Sequence, residues 1–298
     1  MSPPGFTEVL GYTKMAVIID GKKIARDIVT ELKAEALRLK EKEGTTPGLA
    51  VLLVGDDPAS AIYVRNKERA CSEAAFLSRE FKLPQDTNES KLLTIIDELN
   101  RNEKIHGILV QLPLPKHINP TTIIEAIDPR KDVDGFHPYN LGRLFTGDPH
   151  HMACTPRGIL ELLDRYSIAI EGKRAVIVGR SNIVGKPVAL MLLNRHATIT
   201  VCHTRTRGLA DVTRKANILI AAAGRPEMIT ADMVADGATV IDVGINRTAS
   251  GRLVGDVAFS AVMEKASYIT PVPGGVGPMT IAMLLTNTLN AASGRLAK

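Results

Sequence analysis

Two series of short apolar runs, each alternating with helical patterns and parted by one Pro/Asp/Gly-rich stretch, constrain this chain more than any other feature. Strand candidates in the first series span residues 16–19, 49–54, 77–83 and 105–111, and the longest helical pattern between them covers 23–42. Residues 128–151 break the rhythm, and a helical pattern over 156–166 bridges to a second series at 174–178, 198–202, 217–222, 239–243 and 268–270. Strands separated by helices need crossover connections, which build mostly parallel sheets with helices on their faces. The expected fold class is α/β with two domains. The apolar helix over 279–289 follows the last strand of the second series and is expected to return to the first domain.

A chain of 298 residues can bury two such cores. Its 45% apolar content is rich in aliphatics and poor in aromatics, which suits α/β layers better than a sandwich. No run approaches the ~18 consecutive apolar residues of a membrane span, so no membrane partner is expected. Residues 1–14 hold Pro3, Pro4 and Gly5 without a signal-peptide core and are expected to form a loose extension. Cys71, Cys154 and Cys202 stand far apart, match no metal spacing and suggest a reducing compartment. A cytoplasmic location is expected, with a mitochondrial one left open. The net charge of +5 comes from 37 basic residues interleaved with 32 acidic ones, without a tryptophan for base stacking. Nucleic acid is therefore not an expected partner.

Chemistry concentrates in a few segments. Thr270-Pro-Val-Pro-Gly-Gly-Val-Gly-Pro-Met-Thr280 packs three prolines and three glycines between a strand pattern and the last helix. Fixed φ angles and missing Cβ atoms make a stiff loop whose backbone can press against a flat ligand. The alternative is an awkward domain crossover.

Arg174-Ala-Val-Ile-Val-Gly-Arg-Ser-Asn-Ile-Val-Gly-Lys-Pro187 reads as strand, Gly-rich turn and helix start, a geometry that brings phosphate to backbone N–H groups. Five residues separate Gly179 from Gly185, and Pro187 follows the lysine, so a Walker A loop is excluded. The dinucleotide fingerprint is also imperfect, because Ser181 holds its middle glycine position. At the end of the next strand an NAD site would carry an acid; this chain has His203-Thr-Arg-Thr-Arg207 instead. Hydroxyls and guanidiniums there, with Arg180 in the turn, suit a 2′-phosphate and so NADP. One of Arg205 and Arg207 is expected to be merely solvated.

Asp57-Pro58 opens a helix on which Ser60, Tyr63 and Lys67 share one face. Arg65, Glu68, Arg69, Ser72 and Glu73 gather on the other side, while Lys67 lies in a row with Tyr63, Ala70 and Ala74. Desolvation on that small-residue face would lower the lysine pKa and yield a proton carrier near neutrality; the bland alternative is a snorkelling lysine. Tyr-x-x-x-Lys is also the short-chain dehydrogenase spacing, but there the pair follows the nucleotide turn, whereas here it precedes it. Gln111 ends an apolar strand, where open α/β sheets place ligands, and is a natural partner for Lys67. Lys131-Asp-Val-Asp-Gly135 offers Asp134 as an acceptor for an amino-heterocycle and Asp132 as a turn former. The histidines lack a third partner, and no metal site is expected.

Taken together, Ser60-x-x-Tyr63-x-x-x-Lys67, Val110-Gln-Leu-Pro-Leu-Pro115, Lys131-Asp-Val-Asp-Gly135, Gly179-Arg-Ser-x-Ile-Val-Gly185, Asp242-Val-Gly-Ile245 and Pro271–Thr280 resemble the bifunctional methylenetetrahydrofolate dehydrogenase/methenyltetrahydrofolate cyclohydrolase family. The resemblance runs over residues 15–293. It implies a folate-binding catalytic domain over 15–153 and 279–298, a Rossmann-like NADP-binding domain over 154–278, and a homodimer acting on tetrahydrofolate derivatives, polyglutamylated ones included. Lys67 would be the central catalytic residue, tuned by Gln111, with Tyr63 packed on the folate and Asp134 holding the pterin. Ser60, Pro273, Gly274 and Gly275 would complete the substrate site. Gly179, Arg180, Ser181, Ile183, Gly185, Thr204, Arg205, Ile245 and Gly277 would hold the cofactor. Thr204 departs from the serine common in the family but keeps the hydroxyl.

Overall fold

A computed structural model describes residues 15–295; the expected extension over 1–14 lies outside the described residues. In chain order the first part holds β1 (Val17–Ile18), α1 (Gly21–Glu43), β2 (Gly48–Val54), α2 (Pro58–Glu73), β3 (Leu77–Leu83), α3 (Glu89–Arg101), β4 (Gly107–Val110), α4 (Pro120–Glu125) and α5 (Pro138–Phe145). The bridging helix α6 (Cys154–Arg165) leads to β5 (Arg174–Val178), α7 (Gly185–Asn194), β6 (Thr198–Cys202), α8 (Leu209–Thr213), β7 (Ile218–Ala221) and β8 (Thr239–Asp242). A hairpin of β9 (Asn246–Arg247) and β10 (Leu253–Val254) follows, then α9 (Phe259–Met263), β11 (Tyr268–Ile269) and α10 (Val276–Ala292).

The sheets are parallel, as alternating strands and helices demand. One has the order β3-β2-β4; the other runs β1-β11-β8-β7-β5-β6. Period-two alternation sorts each central strand into two cores. Leu49, Val51 and Leu53 of β2 face one cluster, and Ala50, Leu52 and Val54 face another. In β5, Ala175 and Ile177 join the same first cluster, whereas Val176 and Val178 turn to the opposite side. That shared cluster is built on α1, α6 and α10, so one core spans both sheets.

Local signals account for the element ends. Asp20 caps α1 by accepting the Lys23 N–H at 2.8 Å, and Gly44 closes it with a left-handed φ of 68°. Asp57 caps α2 by accepting the Ser60 N–H at 2.7 Å, with Pro58 in the first turn. The last helix begins at Val276, three residues before the apolar run, because Pro278 falls in the first turn, where its missing N–H costs nothing.

One strand pairs elsewhere than its sequence position suggests. Residues 16–19 head the first series, yet Val17 and Ile18 pair in parallel with Tyr268 and Ile269 at the edge of the larger sheet. Alternation identifies a strand but not its partner, and the carbonyls of Ser267 and Ile269 take the N–H groups of Val17 and Ile19. The β9/β10 hairpin was also not foreseen, since two-residue strands carry no periodic signal.

Leu285 on α10 is fully enclosed in the shared core. Leu285→Ala is expected to cost about 2–5 kcal/mol through lost transfer energy and the cavity left behind. Urea denaturation checks this; a loss below ~0.5 kcal/mol, the range of surface substitutions, would contradict it.

Candidate active site

The C-terminal end of β8 in the larger sheet looks onto a cleft of about 920 Å³, walled also by α1 and α2. Its walls include Tyr63 on α2, Val243 to Ile245 after β8, and the Pro271–Gly275 loop running into α10. That loop is held rigidly. Lys22 donates its N–H to the Gly274 carbonyl at 2.9 Å, and a Cβ on Gly21 would stand 1.9 Å from the Gly275 oxygen. Gly274 itself has φ 108°, a conformation that requires glycine. Bare backbone therefore forms the wall, and Ile245, 52% exposed, faces Gly277 across it.

Lys67 sits on the inner side of α2, only 8% exposed, between the buried Val64 and Ala70. Its Nζ donates to Gln111 Oε1 at 2.8 Å. The Gln111 amide is fixed from its other end, because Nε2 donates to the Leu112 carbonyl at 2.8 Å. Burial holds the Lys67 ammonium below the ordinary lysine pKa, while the Asp134 charge works in the opposite direction. Burial also pushes the Asp134 carboxyl up to about 6, against the lowering effect of Lys67. The structure thus brings together Lys67 from the middle of α2, Gln111 just after β4 and Asp134 from the loop between α4 and α5. These three lie behind the wall of the large cleft, whereas Tyr63, 40% exposed, lies in it. Ser60 is buried one turn before Tyr63 at the start of α2.

Asp132, singled out only as a turn former, and side chains given no role from the sequence order the loop that carries Asp134. Asp132, the turn former, accepts the N–H groups of Phe136 (3.3 Å) and His137 (2.8 Å) and the Asn140 amide (2.8 Å). Asn287, fully buried on α10, donates to the Val133 and Met152 carbonyls at 2.8 and 2.9 Å. Its own oxygen accepts from Arg157 at 2.6 Å, and the Cys154 thiol donates to the Val133 carbonyl at 3.1 Å. An Asn between two threonines in an otherwise apolar helix was the available signal.

The Gly-rich turn after β5 forms as its spacing suggested. Gly179 has φ 136°, and a Cβ there would meet the Ala222 oxygen at 2.2 Å; one on Gly185 would meet the Gly179 oxygen at 2.3 Å. Ser181 Oγ accepts the N–H groups of Val184 (3.1 Å) and Gly185 (3.3 Å), closing the turn onto α7. The backbone N–H groups of residues 180–183 have no protein acceptor among the described residues, which suits a pyrophosphate at a helix start. Arg180, Thr204 and Arg205 are exposed at the ends of β5 and β6. The His203 ring accepts the Arg205 N–H at 3.1 Å, and Thr206 Oγ accepts the His203 N–H at 2.8 Å, so this turn has a defined shape. Ile183 stands apart, lining a separate recess of about 560 Å³ with Phe136, Leu141 and Phe145. Among the described residues no three metal-ligating side chains converge, and no helix is long and apolar enough to cross a membrane.

Fold and site together define a two-domain α/β protein that carries a dinucleotide-type turn in one part and a buried lysine–amide pair in the other. Residues 19–134 match the tetrahydrofolate dehydrogenase/cyclohydrolase catalytic domain, and residues 153–296 match the NAD(P)-binding domain of the same family. The bifunctional protein FolD of Moorella thermoacetica is 60% identical over 277 residues, covering 93% of this chain and 99% of that one. The crystal structure of FolD from Campylobacter jejuni superposes with a TM-score of 0.92 at 51% identity, covering 94% of this chain and all of that one. The Trypanosoma brucei enzyme, solved with NADP cofactor and inhibitor, gives 0.90 at 40% identity, over 94% of this chain and 98% of that one. The chain belongs to the tetrahydrofolate dehydrogenase/cyclohydrolase family.

In carbon-13 spectra of aspartate-labelled protein, the Asp134 carboxyl is expected to titrate at about 6. Lys67→Met should move that midpoint further up, since it removes the neighbouring positive charge that lowers it. A downward move would contradict the coupling.

Proposed function

We propose that this protein is a bifunctional one-carbon folate enzyme, which oxidises 5,10-methylenetetrahydrofolate to 5,10-methenyltetrahydrofolate with NADP and hydrolyses that product to 10-formyltetrahydrofolate. The observation that carries the reading is the buried Lys67–Gln111 hydrogen bond of 2.8 Å.

Oxidation turns the methylene bridge of the folate into a cation. A charged ammonium beside it would oppose that step. Burial favours the neutral amine, and Gln111 Oε1 accepts one of its N–H bonds, which leaves the nitrogen lone pair free. NADP, when bound, supplies the hydride acceptor. Water then adds to the methenyl carbon, the Lys67 lone pair takes its proton, and delivery of a proton to the departing ring nitrogen opens the bridge to the formyl product. Positioned proton transfer of this kind contributes about 10²–10⁴-fold.

Supporting this assignment, Asp134 presents a half-buried carboxyl close enough to Lys67 to sense its charge, suited to the paired N–H groups of a pterin. Tyr63 offers a ring in the cleft, with the buried Ser60 one turn before it on α2, and Pro273, Gly274 and Gly275 offer backbone in the same cleft. For the cofactor, Gly179, Ser181, Ile183 and Gly185 would cradle the pyrophosphate, while Arg180, Thr204 and Arg205 would bind the 2′-phosphate. Ile245 and Gly277 would border the nicotinamide. The domain limits in this reading are 15–153 with 279–298 for folate, and 154–278 for NADP. Lys22, Arg26 and Lys33 also line the cleft without an ion-pair partner among the described residues, which favours polyglutamylated substrates. Salt-dependent Michaelis constants test that point, and light scattering tests the homodimer we infer. A cytoplasmic enzyme supplying formyl groups for purine biosynthesis completes the proposal.

Lys67→Met is expected to lower the hydrolysis rate by about 10²–10⁴-fold while impairing dehydrogenation less. The methenyl absorbance, recorded after adding methylenetetrahydrofolate and NADP, should then rise and persist; equal retention of both activities would sink the assignment. Replacing Arg180 and Arg205 together should raise the Michaelis constant for NADP far more than that for NAD. Unchanged cofactor discrimination would refute the 2′-phosphate reading.

A further inference from the structure

Two acidic side chains that the chemistry above does not use lie fully enclosed at the C-terminal ends of β7 and β8. Asp242 accepts the N–H groups of Gly244 (2.9 Å), Asp256 (2.9 Å) and Val257 (3.0 Å). Asp256 in turn accepts Ala223 (2.6 Å) and Gly224 (2.9 Å) on Oδ2, and Arg225 (2.9 Å) and the Asn246 amide (2.8 Å) on Oδ1. Neither has a lysine or arginine ion-pair partner among the described residues. Burial pushes the Asp242 carboxyl up to about 6 in spite of its N–H donors. The surrounding backbone is shaped to the pair. A Cβ on Gly244 would stand 2.3 Å from Asp256 Oδ1, and one on Gly255 would stand 1.8 Å from Asp242 Oδ2.

Stability alone is a poor reason for this arrangement, because apolar side chains of similar volume fill such space without desolvating charge. Position supplies a better one. The Ala223–Arg225 turn presents three successive N–H groups, a concavity that ordinarily takes an anion. It follows Ala222, whose oxygen presses on Gly179 of the Gly-rich turn. Asn246 follows Ile245, which lines the large cleft. Among the described residues Asp256 is thus the one side chain bonded to both turns, and it occupies the nest that would otherwise compete for phosphate.

We propose that Asp256 is a positioning residue for the dehydrogenase half-reaction: it ties the 223–225 turn to the 243–246 turn, sets the gap in which the nicotinamide end lies, and keeps phosphate on residues 180–183. The inference rests on the function proposed above.

Asp256→Asn keeps the shape but forces an amide N–H against donors, whichever way it is turned. Expected is a rise of roughly 10-fold or more in the Michaelis constant for NADP and in the NADPH dissociation constant, read by NADPH fluorescence. Dehydrogenase kcat should fall as well, while hydrolysis of added methenyltetrahydrofolate stays within about twofold of wild type. Both activities falling together in step with a lowered melting temperature would mean a merely structural role and overturn the inference. So would unchanged NADP parameters. Should that variant not fold, Asn246→Ala, which removes one bond of the clamp, decides: a rise of several-fold in NADP Michaelis constant with intact hydrolysis supports the inference, and no rise refutes it. Wild-type protein assayed alongside separates the two claims, because absent methenyl formation there defeats the function reading itself.

Discussion

Keeping one ammonium group away from water is the condition on which this architecture turns. An unpaired buried charge costs several kcal/mol, and a lysine relieves that cost by giving up its proton. Lys67 is enclosed because α2 turns small residues inward and α10 packs against it from the far end of the chain. The same α10 carries Asn287, which grips the loop of Asp134. One helix therefore keeps water from the lysine and fixes the loop of the acid that senses its charge. The electrostatics of the pair are set by packing, with no ion pair between them.

The nucleotide side is built on a different principle. Arg180, Thr204 and Arg205 stand in solvent, where charges act over about a Debye length and are softened by salt. In the function proposed above, such groups would attract and discriminate a polyanion without the cost of desolvation. Chemistry at a one-carbon bridge needs the low-dielectric half of the cleft; recognition of phosphates does not.

Most strands were legible because an apolar run bounded by turn residues has few other interpretations: 77–83, 174–178 and 198–202 were located to the residue. Lys67 stood out because helical spacing set it apart from the charged face, and Gln111 because it closed an apolar strand. Pairing was less legible. Nothing local tells residues 17–18 to join the last strand, and two-residue strands leave no period to read. Asn287 and Asp256 went unnoticed, and Cys154 was read only as a free thiol, for a related reason. Each acts by satisfying backbone groups far away in sequence, a demand that only the assembled fold creates. Ile183 shows the reverse case, a motif residue whose side chain faces a recess apart from the main cleft.

The pairing of β1 with β11 joins segments at nearly opposite ends of the described chain. A ribosome releases the first of these long before the second exists. The larger sheet therefore cannot acquire its outermost strand before β11 has been made, although β5 to β8 have already emerged. Until β11 appears, the young protein must carry an unpaired β-edge and a first strand without its partner, and such edges invite association with other chains.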